Sequence, residues 1–136
     1  MLRKDAKIEL IRKVPLFEAC SKRELREVAS VADEIMLREG TTLTKEGATG
    51  REFVVIVDGA AEVRRGGRKV NTLGNGDFLG EIAIVSGLPR TATVVTTTPT
   101  RVLVLTDRAF RAVLQEVPSM QLKVLEALAR RLPQPD

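Results

Sequence analysis

Phe53-Val54-Val55-Ile56-Val57-Asp58-Gly59-Ala60-Ala61-Glu62-Val63-Arg64-Arg65-Gly66-Gly67-Arg68-Lys69-Val70-Asn71-Thr72-Leu73 is the stretch that decides the fold. It opens on five consecutive apolar residues, mostly β-branched, which reads as a central strand covered on both faces. Residues 61–65 and 69–73 then flank Gly66-Gly67, where both positions tolerate positive φ and predict a tight hairpin turn. The same punctuation continues outward. Gly40, Gly47, Gly59, Gly74 and Gly76 separate further short apolar segments at 35–37 and 41–44, and two more follow at 93–97 and 102–105. Many short strands with regular turn signals predict a sandwich or barrel-like roll over residues 33–106.

Helices flank this region. Ala6, Ile8, Leu10, Ile11 and Val14 recur among charges and predict an amphipathic helix over 5–14, broken by Pro15. Ser21-Lys22-Arg23-Glu24 is a capping box, and Leu25, Val28, Ala29 and Ala32 carry a second helix to about residue 32. The first helical unit is therefore 1–32. After the roll, Asp107 is the expected cap of a helix running to about Glu116, and Val117-Pro118-Ser119 marks a break. A last helix carries Leu122, Leu125, Leu128, Ala129 and Leu132, with Leu125, Leu128, Ala129 and Leu132 as its apolar stripe. That stripe packs on its own domain, closes as a lid or forms a dimer seam. Residues 107–132 are the C-terminal helical unit of a single 136-residue domain.

Composition bounds the function. Apolar residues are 43% and charged residues 29%, ordinary for a globular chain, and no apolar run is long enough to span a bilayer. The charged N-terminus has no apolar core behind it, so no secretory signal is expected, and the single Cys20 fits a reducing, cytoplasmic setting. The formal charge is +4, but charges of both signs are interspersed, so nucleic acid is not the expected partner. The chain has no His and one Cys, which excludes His-based triads, His zinc sites and thiolate metal clusters. It also lacks Trp and Tyr, so a ligand base cannot stack on the larger aromatics.

Between Gly76 and Val94 the chain reads Gly-Asp-Phe-Leu-Gly-Glu-Ile-Ala-Ile-Val-Ser-Gly-Leu-Pro-Arg-Thr-Ala-Thr-Val. Gly80 lets a ligand approach the backbone closely. Residues 81–85 can form one helical turn, whose first N–H groups suit a phosphate. Arg90 adds a permanently charged fork for the same anion. Glu81 only accepts at neutral pH, so it suits sugar hydroxyls rather than phosphate. The Thr91 hydroxyl either reads a ligand or caps the local turn.

These residues closely resemble the phosphate-binding cassette of cyclic nucleotide-binding domains: Phe78, Gly80 and Glu81, a short apolar stretch and loop, then Pro89-Arg90-Thr91-Ala92-Thr93-Val94. Glu46-Gly47, Gly50 and residues 53–59 resemble the early β-roll pattern of the same family, so the likeness runs from about Pro15 to Leu132. The resemblance implies an α+β, mainly β fold: a jelly-roll β-roll with N-terminal helices, a cassette at 78–94 and two C-terminal helices. It implies that Glu81 binds the ribose 2′-hydroxyl and that Arg90 pairs with the cyclic phosphate. Backbone amides of Ile82, Ala83 and Thr91 would complete the cradle, and Gly80 would let the sugar sit against the backbone. Val63 and Leu73 are candidates to carry the purine, and Arg131 to stack on it. Thr at position 91 goes with cGMP in the family's eukaryotic kinases, whereas bacterial activators carry a hydroxyl there and use cAMP. Thr91 therefore permits cGMP without excluding cAMP; the expectation here is cAMP, in a domain of the bacterial stand-alone type, with an excised domain of a larger protein left open.

Ala129-Arg130-Arg131-Leu132 is similar to the run that leads into a long dimerising helix in the bacterial activators, but Pro133 and Pro135 follow. The expected output is therefore movement of the C-terminal helices, read by an effector protein or domain that the sequence does not identify, with a homodimer left open. Two alternatives compete with this expectation. One is a ligand-free protein-interaction scaffold of the same fold, disfavoured by the presence of both Glu81 and Arg90. The other is a small β-roll enzyme, disfavoured because no acid–base pair accompanies them. No metal or cofactor is expected.

Overall fold

The computed structural model describes residues 4–131. Two helices open the chain, α1 (Lys4–Arg12) and α2 (Lys22–Val31), separated by a 3-10 turn at Pro15–Phe17. Ser21 caps α2 as expected: its Oγ accepts from the Glu24 N–H at 3.1 Å, and Glu24 Oε1 accepts from the Ser21 N–H at 2.8 Å. Eight strands follow: β1 (Asp33–Leu37), β2 (Thr42–Thr44), β3 (Glu52–Asp58), β4 (Ala61–Arg65), β5 (Arg68–Leu73), β6 (Phe78–Leu79), β7 (Thr93–Thr96) and β8 (Thr100–Thr106). A short helix, α3 (Glu81–Ser86), interrupts them between β6 and β7. The chain continues through α4 (Asp107–Glu116) and α5 (Pro118–Arg131).

The strands form two antiparallel four-stranded sheets, ordered β1-β8-β3-β6 and β2-β7-β4-β5. Gly66 and Gly67 sit at φ +57° and +79°, and the hairpin they make pairs Arg65 with Arg68. β3 lies between β8 and β6, and its side chains alternate between two cores. Phe53 and Val55 point to the helices, where they meet Leu103, Leu105, Phe110, Val113 and the buried residues of α1 and α2. Val54 and Ile56 point into the roll against Ala61, Leu73, Leu79, Val94 and Val102. The period of two explains why this strand is apolar from Phe53 to Val57: between its charged ends it has no solvent face.

Four local expectations are corrected. Thr106, not Asp107, caps α4, with its Oγ1 accepting from the Ala109 N–H at 3.1 Å. The cassette helix runs one residue further, to Ser86, and Gly87 ends it at φ +73°. β6 has no counterpart in the sequence reading. The buried stripe of α5 is Met120, Val124 and Ala127, with Leu128 partly buried beside them, while Leu122 and Leu125 are 60% and 61% exposed. The stripe named from the sequence is thus rotated by about one residue for Leu125 and Ala129, and Leu132 lies outside the described residues, as does Pro133 onward.

Candidate functional site

Position 80 must be glycine for two reasons. It adopts φ +104°, which L side chains avoid, and a Cβ there would fall 2.3 Å from the Glu52 carbonyl oxygen and 2.8 Å from Arg90 Nη1. The turn at Gly80 aims the first residue of α3 inward, so Glu81 is fully buried despite its charge. Arg90 is also buried, at 8% exposure. The loop before β3 holds it on both sides. The Arg90 N–H donates to the Ala48 carbonyl at 2.8 Å, and the Arg90 carbonyl accepts from the Gly47 N–H at 2.9 Å. Its Nη2 donates to the Glu52 carbonyl at 2.8 Å. Burial pushes the guanidinium below its ordinary pKa, and Glu52 and Glu81 pull it back up.

Glu81 and Arg90 line one cavity of about 250 Å³. Every residue named from the sequence lines the same cavity: Gly80, Ile82, Ala83, Thr91, Val63, Leu73 and Arg131. Thr91 is exposed, and its carbonyl accepts from Arg65 Nε at 3.2 Å. The sequence reading missed Thr44, Arg65, Val70, Asn71, Leu79, Ala92, Val94 and Arg130 in the lining. Asn71 faces Val63 across the β4–β5 hairpin, so the pairing register could have suggested it.

Arg131 is not presented as a free stacking surface. Its Nη1 is bonded to Glu81 Oε1, its Nη2 donates to the Phe78 carbonyl, and its guanidinium lies 5.2 Å from the Phe78 ring centroid. Phe78 in turn touches Phe53, which stacks on Phe110 with centroids 4.1 Å apart. A second tie joins α3 to the C-terminal helices: Arg111 Nη2 donates to the Ile84 carbonyl. Ile84 packs in the helical core with Phe110 and Val113, whereas Val85 is 49% exposed. Ile84 is the α3 side chain in that core. Ile82 lines the cavity instead.

Three buried side-chain polar atoms have no hydrogen-bond partner among the described residues. One, Arg101 Nε, sits 3.2 Å from Glu34 Oε1 in an ion pair. The other two are Glu81 Oε2 and Arg90 Nη1. A buried polar group without a partner costs about 1–3 kcal/mol, and more if charged. Here an unsatisfied acceptor and an unsatisfied cationic donor belong to two residues that line the same cavity. The arrangement suits a molecule that offers a hydroxyl to one and an anion to the other.

The family described as the cyclic nucleotide-binding domain matches residues 34–117. The regulatory subunit of cAMP-dependent protein kinase from Mycosarcoma maydis is 40% identical over 113 residues, covering 74% of this chain and 21% of the relative. The chain spans between 21% and 29% of the length of such curated relatives. Among solved structures, the regulatory domain of Toxoplasma gondii PKA with cAMP superimposes with a TM-score of 0.81 at 21% identity, over 93% of this chain and 50% of that one. The regulatory subunit of a cAMP-independent protein kinase A from Trypanosoma brucei gives 0.82 at 22% identity, over 98% and 47%. At these identities the two structures speak for the fold.

Proposed function

The chain belongs to the cyclic nucleotide-binding domain family, and on that premise we propose that it is a regulatory module that binds cAMP between Glu81 and Arg90 and passes the event to its C-terminal helices. The observation that carries this reading is that two residues lining one cavity, Glu81 and Arg90, each keep a buried polar atom without a partner, Oε2 and Nη1. Glu81 Oε2 accepts from the ribose 2′-hydroxyl. Arg90 Nη1 donates to an oxygen of the cyclic phosphate, and the backbone N–H groups of Ile82, Ala83 and Thr91 complete the anion's shell. Val63 and Leu73 offer apolar surface to the base. The site binds but holds no paired acid and base to cleave a phosphoester, so the module is read as a sensor rather than an enzyme.

cAMP is favoured over cGMP because the curated relatives are regulatory subunits of cAMP-dependent kinases. The fold alone does not choose the ligand, since a cAMP-independent regulatory subunit shares it. By the same relatives, the effector is a separate catalytic chain or domain.

Output follows from the contacts of the cassette. Arg131 of α5 holds one oxygen of Glu81, and Arg111 of α4 holds the far end of α3. A ligand that engages Glu81 and the α3 amides changes the stability of both ties. It shifts the helices only as far as it binds one arrangement better than the other. The test is calorimetric titration of cAMP, cGMP and 5′-AMP into protein that has been unfolded and refolded to strip carried-over nucleotide. Micromolar or tighter binding of cAMP, weaker binding of cGMP and none of 5′-AMP is expected. Absence of heat with all three, from folded protein, would overturn the reading and favour a protein-interaction scaffold.

A further inference from the structure

We propose that Gly50 is a positioning residue for Arg90, present because any side chain at that position would occupy the arginine's seat. The inference rests on the reading of Arg90 as the anion-binding group and extends it to how that group is aimed. Glycine at position 50 is not required by the backbone. Eight other glycines have positive φ, and Gly50 is not among them. The space beside it is filled instead. A Cβ at Gly50 would lie 1.7 Å from Arg90 Nε, 2.2 Å from Cζ and 2.4 Å from Cδ. Gly74, which also lacks positive φ, has nothing within 4 Å of its Cβ position, so crowding is not a general property of these turns.

The guanidinium is held where it lies. Its Nη2 is bonded to the Glu52 carbonyl at 2.8 Å. Its Nη1 uses the space left by the missing side chain of Gly80, 2.8 Å from where a Cβ would stand. The backbone bonds of Arg90 to Gly47 and Ala48 fix the root of the side chain. Arg90 therefore lies in a slot between two glycines, and the slot decides where Nη1 points. Misplacing a charged donor by about an ångström removes much of its contribution to binding.

Gly50→Ala keeps an allowed backbone and forces the side chain out of the slot. The expected result is a loss of at least about tenfold in cAMP affinity in the wild-type background and under about twofold in the Arg90→Ala background, because the displaced group is already gone. A ligand-free readout is the Arg90 Nε–Hε resonance, identified by its loss in Arg90→Lys, which is expected to move in Gly50→Ala. An unmoved resonance, or an affinity loss of equal size in both backgrounds, would overturn the proposal. If the resonance moves but the wild type binds no cyclic nucleotide, the seat stands and the functional reading falls. If Gly50→Ala fails to fold, refolding on addition of Arg90→Ala supports the clash with the arginine. Failure of the double variant as well refutes it.

Discussion

Arg90 and Glu81 line one cavity, yet they are held there by different parts of the chain. Arg90 is fixed within the β-roll: its backbone pairs with Gly47 and Ala48, its side chain bonds the Glu52 carbonyl, and Gly50 and Gly80 leave it a slot. Glu81 is fixed from outside the roll, by Arg131 in the last described turn of the chain. The arginine wall is preformed. The glutamate wall depends on where α5 sits. On the proposed function, a ligand spanning both walls couples to α5 as far as it binds one placement of Arg131 better than another, and the coupling is reciprocal.

Removing the preformed wall is expected to give the largest effect. Arg90→Ala should lower cAMP affinity by roughly thirty-fold or more, about 2–5 kcal/mol, with the fold intact. Calorimetry checks it, and a variant within threefold of wild type would remove Arg90 from the site. Breaking the other wall's support is expected to act on stability first. Arg131→Ala leaves Glu81 buried with neither oxygen paired, but Arg131 is itself 29% exposed at the side chain, which moderates the loss. A decrease of about 1–2 kcal/mol, roughly 3–8 °C in Tm, is expected without ligand. Ligand should restore part of the difference, and differential scanning calorimetry with and without cAMP measures both. Arg111→Ala tests the second tie. It should cost about 1 kcal/mol while leaving the cavity lined as before, so an affinity change under about threefold is expected.

The smallest effect lies far from either wall. The Glu116 carboxyl of α4 raises the pKa of Glu27 in α2, first as a hydrogen-bond partner of its protonated form, with desolvation and the Glu116 charge adding to this and Arg23 opposing it. A carboxyl whose folded pKa exceeds its unfolded value binds more protons when folded. Its contribution is fully present below the unfolded pKa and is lost as pH rises through the folded pKa. Glu27→Gln should therefore raise Tm slightly at neutral pH and not at acidic pH. A gain that persists at low pH would point to a cause other than the shared proton.

Both walls were legible in the sequence, and their supports were not. Pro89-Arg90-Thr91 and Gly80-Glu81 are contiguous signals, and the continuous apolar run 53–57 announced a strand without a solvent face. The support of the glutamate wall was hidden because Glu81 and Arg131 are 50 positions apart and nothing local to either names the other. β6 escaped because a two-residue strand is too short to show alternation. The face of α5 was misplaced for a related reason. Apolar residues occur at helical spacing on two of its faces, and only tertiary packing selects Met120, Val124 and Ala127 over Leu122 and Leu125. Gly50 was read as part of a family pattern, but its neighbour Arg90 is 40 residues away, so its steric purpose appears only when the roll is closed.

The most direct test of the two-wall account is a calorimetric cycle of cAMP and 2′-deoxy-cAMP on wild type and Glu81→Gln. The account predicts that the deoxy ligand loses about tenfold in the wild type, as expected for one hydrogen bond to a charged group, and little further in the variant. Equal losses for the missing hydroxyl in both proteins would show that Glu81 does not hold the sugar, and the central assignment would fail.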